Sequence, residues 1–209
     1  MTCIVLVRHG QTTWNREARF RGQSDVPLEE AGLRQAGATG QYVASRWPVV
    51  AVYASPLSRT TRTAEAIAEP QGLTAMPLES LRDINFGEFQ GLLGTEAEQR
   101  YPDVYRAWLE APHTVRFPGG ESLEIVRDRV TDGLEAVVAR HPDDTVALVS
   151  HTVVNRVMLC IVLGWGNDRF WRMRQETCAV NVFTVMGDGT FTIALLNDTS
   201  HLLHLPNLD

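Results

Sequence analysis

Three short apolar runs, each broken off by a polar cluster, constrain this chain more than any other feature. Residues 3–7 read CIVLV and stop at Arg8-His9-Gly10. Residues 49–54 read VVAVYA and stop at Ser55-Pro56. Residues 145–149 read TVALV and stop at Ser150-His151. Apolarity that is continuous rather than alternating suits strands covered on both faces, the environment of a parallel sheet. Parallel strands need long crossovers, usually helices. The intervals supply them. Leu33, Ala36, Gly40, Val43, Ala44 and Trp47 recur at helical spacing, and Pro48 closes that run. Residues 57–68 read as a second helix, ended by Pro70 and Gly72. Val126, Val130, Leu134, Val137 and Val138 mark a third, with Ser122 as N-cap and Glu124 in its first turn. Residues 153–163 give a fourth, stopped by Gly164. Residues 178–186 and 191–196 read as strands joined through Gly187-Asp188-Gly189, a hairpin signal. The predicted class is α/β, with a mostly parallel central sheet and an antiparallel edge strand. No linker composition interrupts the 209 residues, so a single domain over 1–209 is expected. The stretch 76–120, with Pro77, Pro102, Pro112 and Pro118, is its least regular part.

Composition removes whole classes of chemistry. All 19 basic residues are arginine, so a lysine Schiff base and a Walker-type phosphate loop are both ruled out. A net charge of −6 argues against a broad nucleic-acid surface. No apolar stretch is long enough for a membrane span, and the N-terminus lacks a basic leader, so no membrane association is expected. Cys3, Cys160 and Cys178 lie in apolar runs without paired spacing and read as buried, reduced thiols of a cytoplasmic protein. There is no G-x-S-x-G, no H-E-x-x-H, and Cys3 to Arg8 is one residue short of a C-x5-R loop. His201 and His204 are read as a solvated tail rather than metal ligands, so no metal site is expected.

Ligands of open α/β sheets bind beyond the carboxyl ends of the strands. Arg8, His9, Arg59 and His151 all follow such ends. Arginine keeps its charge and forks onto phosphate or carboxylate oxygens, so the cluster points to an anion, with phosphate the natural guest of a histidine nucleophile.

The segment LVRHGQTTWN at 6–15 resembles the signature of the histidine phosphatase superfamily, also called phosphoglycerate mutase-like. SPLSRTTRTAE at 55–65, LRDINFGEFQG at 81–91, FPGGESL at 117–123 and VSHT at 149–152 add to the resemblance in the family's order. It implies a three-layer α/β/α fold in which 76–120 is a substrate-capping insertion. It implies a metal-independent phosphomonoester hydrolase of small phosphorylated metabolites, needing no cofactor, releasing inorganic phosphate and working through a phosphohistidine on His9. A neutral imidazole is competent for that at pH 7, since its ordinary pKa is about 6.5. Arg8, Arg59 and His151 match the rest of the phosphate pocket. Asn15, Arg21, Gly22 and Thr152 match substrate-binding positions, and Arg62 is either rim or surface ion pair. Asp83 stands where the family supplies a general acid, usually glutamate; Glu88 is the runner-up. The shorter aspartate requires a closer backbone or an intervening water.

Two other readings stand beside this one. A cofactor-dependent phosphoglycerate mutase would bring lysine and an adjacent arginine pair, which the sequence lacks. A catalytically idle phosphate-ligand sensor would be expected to lose charged positions that are all filled here. The hydrolase pattern is nearest to metal-independent phosphoserine phosphatases and broad-specificity phosphatases. The former carry a substrate-contacting histidine just before the glycine of the acid segment, where this chain has Phe86. His113 is the other histidine of that region. Trp14, Phe86, Phe89 and Trp108 are candidates for an apolar pocket wall. Homologues in the family often dimerise, and the C-terminal hairpin offers an edge for a homodimer.

Overall fold

The structure, a computed structural model, describes residues 1–205; the last four residues of the expected 1–209 domain lie outside the described residues. Its centre is a six-stranded sheet of β1 (Thr2–Arg8), β2 (Ala51–Ala54), β3 (Ala75–Pro77), β4 (Thr145–Ser150), β5 (Val180–Val185) and β6 (Phe191–Asp198), in the order β3-β2-β4-β1-β5-β6. The first four of that order pair in parallel, whereas β5 runs antiparallel to both β1 and β6. The hairpin turns at Gly187–Gly189, where Met186 and Thr190 close the ladder. The short edge strand β3 was hidden in the irregular middle of the sequence; it ends at Pro77, and proline is tolerated at a sheet edge.

The helices are α1 (Thr13–Arg16), α2 (Glu30–Arg46), α3 (Ser58–Ala68), α4 (Gly94–Arg100), α5 (Pro102–Glu110), α6 (Leu123–Arg140) and α7 (Thr152–Val162). Side chains alternate across the strands. Val5, Val7, Val52, Ala54, Ala147 and Val149 meet Val43 of α2 and Ala64, Ile67 and Ala68 of α3 on one face. Ile4, Leu6, Tyr53, Val146, Leu148 and Phe183 meet α6 and α7 on the other. The expected three layers follow. α6 is capped as read: the Ser122 hydroxyl accepts from the Ile125 amide at 3.4 Å. α2 differs in its face. Leu33 points to solvent, and the buried stripe is Gly32, Ala36, Thr39, Gly40 and Val43, since small residues let α3 approach closely. No described helix is long and apolar enough to cross a membrane.

The segment 78–117 contributes Leu81, Ile84, Phe86, Phe89, Leu92, Ala97, Trp108, Val115 and Phe117 to the core of the α6/α7 face. Phe20, from the loop after α1, lies edge-on to Phe86 at 5.1 Å and Phe89 at 5.3 Å and ties that loop to the segment. The C-terminal turn corrects the reading of His201 as a solvated tail. Its imidazole stacks on Tyr42 of α2 at 4.6 Å, and its Nε2 bonds the Thr39 hydroxyl at 2.9 Å. Burying an aromatic face against α2 outweighs its exposure to water. His204 remains exposed.

A Cβ on Gly40 would stand 1.9 Å from the Ala66 carbonyl oxygen. Gly40→Ala must therefore separate α2 from α3, and overpacking of this kind costs about 1–3 kcal/mol. Urea unfolding should show that loss; an unchanged or raised midpoint would refute the close-approach account.

Candidate active site

Parallel pairing of β1 with β4 sets Arg8 opposite Ser150, and the His9 amide donates to the Ser150 carbonyl at 3.0 Å. His9 and His151 thus leave the sheet side by side, ring centroids 5.2 Å apart and edge-on. β2 lies on the other side of β4, and the Ser55 amide donates to the Val149 carbonyl. Ser55 therefore arrives beside His151, and its hydroxyl meets His151 Nε2 at 2.8 Å.

His9 is fully buried. Its Nδ1 lies 2.7 Å from the Gly10 carbonyl oxygen, which can only accept. The proton is therefore on Nδ1, and Nε2 is left bare, buried and without a hydrogen-bond partner. Burial pushes the His9 pKa well below its ordinary value, and Arg59, Arg8 and Arg21 push it further. The ring is neutral at pH 7. Gly10 is required here: a Cβ would meet the Gly32 carbonyl oxygen at 2.5 Å.

Arg59 opens α3 from the first turn and is fully buried. It donates from Nη1 to the Ser24 carbonyl at 2.8 Å and from Nη2 to the Gly22 carbonyl at 2.7 Å. Its Nε donates to His151 Nδ1 at 3.3 Å, and Nη2 reaches Asp83 Oδ2 at 3.3 Å. His151 is likewise held well below its ordinary pKa by burial first and by Arg59 next. It is neutral, its proton on Nε2 toward Ser55. Arg8 is braced by the Gln175 carbonyl, with its Nε buried and unpartnered; burial, then Arg21, pull its pKa down to about 9. The Gln175 loop is pinned by the Cys178 amide, which donates to the His9 carbonyl from a residue held at φ +55°. That left-handed backbone is strained for a cysteine.

Asp83 is nearly buried, and its Oδ2 lies 3.6 Å from His151 Nδ1. Ser150 donates to the Leu81 carbonyl at 2.7 Å, and Arg129 of α6 donates to the carbonyls of Ser80, Arg82 and Asp83 while paired with Glu121. Burial raises the Asp83 pKa against the opposing pull of Arg59 and Arg21.

A cavity of about 190 Å³ adjoins this cluster through Asp83 and Arg21, lined by Arg19, Arg21, Asp83, Thr152 and Arg156 among polar residues; Arg8, His9, Arg59 and His151 are not among its lining residues. Phe20, Phe86, Trp108, Phe170 and Trp171 form its apolar wall. Phe86 and Trp108 thus stand where an apolar wall was expected. Phe89 is instead packed in the core, stacked on Tyr101, and Trp14 is not among the lining residues. Arg21 donates to the Trp14 carbonyl at 3.2 Å and keeps its Nε unpartnered; the Thr152 hydroxyl is buried and unpartnered. Gly22, at φ +51°, reaches the site through its carbonyl on Arg59. The Asn15 side-chain oxygen caps α1, accepting from the Thr12 amide and hydroxyl. Arg62 pairs with Glu65 on the surface. Glu88 is exposed and receives the Tyr101 hydroxyl, and His113 is exposed; neither lines the cavity. Among the described residues no three His, Cys, Asp or Glu side chains cluster as a metal site.

Sequence reasoning missed Ser55, Arg129, Gln175 and Arg156. Gln175 carries no pattern of its own, and Ser55, though it ends the second apolar run and opens the 55–65 motif, has no local signal that pairs it with His151. Arg156, a charge inside the otherwise apolar stretch 153–163, carried a signal.

A bare buried imidazole nitrogen among arginines, with a carboxyl of raised pKa beside it, defines a phosphoryl-transfer type of site on an open α/β sheet. Residues 4–199 match the model of the histidine phosphatase superfamily, branch 1. The chain belongs to that superfamily, as its motifs implied, and is an enzyme of the phosphatase kind. It is 39% identical over 202 residues to phosphoserine phosphatase 1 of Hydrogenobacter thermophilus, covering 97% of this chain and 95% of that one. It is 36% identical over 163 residues to the metal-independent phosphoserine phosphatase of Arabidopsis thaliana, covering 76% of this chain and 67% of that one. The solved structure of Bacillus stearothermophilus YhfR superposes with a TM-score of 0.91 at 30% identity, covering 97% of this chain and all of that one.

Ser55→Ala would strand the buried His151 Nε2 proton. An unsatisfied buried donor costs about 1–3 kcal/mol, so chemical denaturation should register that loss of stability. No loss would mean that Ser55 does not hold the ring.

Proposed function

We propose that the protein is a metal-independent phosphomonoesterase of small phosphorylated metabolites, working through a phosphohistidine on His9. The observation that carries this reading is the bare, buried Nε2 of a His9 whose tautomer Gly10 fixes. In the first step the Nε2 lone pair attacks phosphorus and the ester P–O bond breaks. The Asp83 carboxyl passes its proton to the leaving alkoxide. In the second step water attacks the phosphohistidine, the Asp83 carboxylate takes the proton, and the N–P bond breaks to release inorganic phosphate. Arg8, Arg59 and Arg21 hold the phosphoryl oxygens in a water-poor site, where fixed charges stabilise the transition state strongly. His151 becomes the neighbouring donor when a dianionic phosphoryl group favours a proton on its Nδ1, which then turns from the Arg59 Nε–H to a phosphoryl oxygen. Thr152 lines the substrate side, Gly22 supports it through Arg59, and Asn15 steadies the 6–15 motif by its bonds to Thr12. Phe86 and Trp108 make segment 76–120 the cap over that side.

Three unpaired thiols support a reducing, cytoplasmic setting. The outer edge of β6 is the surface that suits pairing with a second copy.

Phosphate release should persist in excess chelator and vanish in His9→Ala, a fall of at least 10³-fold. Activity lost to chelator, or retained without His9, would sink the mechanism. Asp83→Asn should lose about 10²–10⁴-fold in kcat while inorganic phosphate still binds; near-normal turnover would remove Asp83 from the acid role.

The pH profile follows from the shifts. The His9 pKa is depressed, so acid protonates the nucleophile only well below 6.5. The Asp83 pKa is raised, and the productive form is protonated, so kcat/KM should fall as pH rises through that raised value. Asp83→Asn should abolish that descending limb. A wild-type profile that climbs with pH would contradict the assignment.

A further inference from the structure

The cavity holds a cation that the proposed hydrolysis does not use. Arg156 lies four residues after Thr152 on α7, so the two share a helix face, and both line the cavity. Its guanidinium carbon sits 4.8 Å from the Trp171 ring centre and 5.3 Å from that of Phe170. The rings hold it in place without supplying a hydrogen-bond acceptor. Its Nε is buried and unpartnered; among the described residues no carboxylate lies within ion-pair distance of it, and Glu176 acts on its charge from farther away. The other lining arginines differ. Arg19 is bonded to Glu17 and to the Gly91 carbonyl, and Arg21 to the Trp14 carbonyl. Burial lowers the Arg156 pKa to about 10, which leaves it charged at neutral pH. A buried N–H without an acceptor is costly unless a ligand supplies one.

The rest of the lining narrows that ligand. Asp83 is the one carboxylate among the lining residues, and the reaction already employs it. A substrate ammonium would therefore meet no further acid in the lining itself, since Glu176 lies outside it. The wall of Phe20, Phe86, Trp108, Phe170 and Trp171 offers little to the hydroxyls of a sugar. Phe86 itself cannot donate to a carboxylate, so that task passes across the cavity. We propose that Arg156 binds a carboxylate on the substrate, and that the substrates are phosphorylated hydroxy acids lacking an amino group. This rests on the phosphomonoesterase reading above.

Three probes of one skeleton test it. 3-Phosphoglycerate carries the carboxylate, glycerol 3-phosphate replaces it with a hydroxymethyl group, and phosphoserine keeps it but has an ammonium in place of the C2 hydroxyl. Wild-type kcat/KM should favour 3-phosphoglycerate over each of the others by at least about ten-fold. Arg156→Gln should lower the ratio of 3-phosphoglycerate to glycerol 3-phosphate about ten- to a hundred-fold, chiefly through KM, as expected for a lost charge-assisted bond. Arg156→Lys should recover part of it. Equal losses on both probes would mark a structural residue, and phosphoserine turned over as well as 3-phosphoglycerate would overturn the substrate class. Calorimetry of 3-phosphoglycerate binding to His9→Ala and to His9→Ala/Arg156→Gln reads the same contact without turnover. Equal affinities there overturn the proposal, whereas weaker binding by the double variant alongside His9-independent hydrolysis would leave it standing and sink the phosphohistidine reading instead.

Discussion

The in-register parallel pairing of β1 with β4 is the constraint on which the site depends. Arg8 faces Ser150 across the ladder, so the next residue of each strand, His9 and His151, emerges at the same height. β2 adds Ser55 at that level from the far side of β4. A slip of one residue would send every side chain of a strand to the opposite face and part the two rings. Burial of both faces by Val, Leu and Ile makes such a slip expensive, so the packing of the whole core holds the imidazoles together.

The second physical theme is charge held away from water. Arg59 is fully buried, yet its donors find the Ser24 and Gly22 carbonyls, Asp83 and His151. The same crowding of cations that makes an oxyanion welcome keeps both histidines neutral. Burial moves Asp83 the opposite way. One desolvated environment thus produces a deprotonated nucleophile and a carboxyl inclined to keep its proton.

The acid loop has no regular structure to fix it, and other elements do that work. Ser150 at the end of β4 and Arg129 from α6 hold the carbonyls around Asp83, while the Ile84 amide donates to Asp83 Oδ1 at 3.0 Å. The aromatic group around Phe20 anchors the neighbouring wall. Rigidity in both places keeps the cavity open and its polar groups aligned.

Local sequence determined β1, β2, β4, β5 and β6, their strand-end clusters and the helices α2, α3, α6 and α7, but not β3, α1, α4 or α5. Continuous apolar runs of five or six residues became buried strands of 4–7 residues, and Gly, Pro and Ser punctuate them where the chain must turn. The motif around 6–15 made His9 legible, and the acid segment made Asp83 so. Leu33 misled, because a periodic apolar residue at the start of α2 falls on the solvent side once Gly32 and Gly40 set the contact face. His201 misled in the other direction, since its stacking partner Tyr42 lies far away in the chain. Tertiary structure alone decided which nitrogen of His9 is bare, why both histidines are neutral, and that Glu88 and His113 lie outside the cavity. It also decided that Ser55, Arg129, Gln175 and Arg156 belong to the site or its support. Those outcomes depend on burial and on contacts between residues distant in the chain, and no local spacing encodes either.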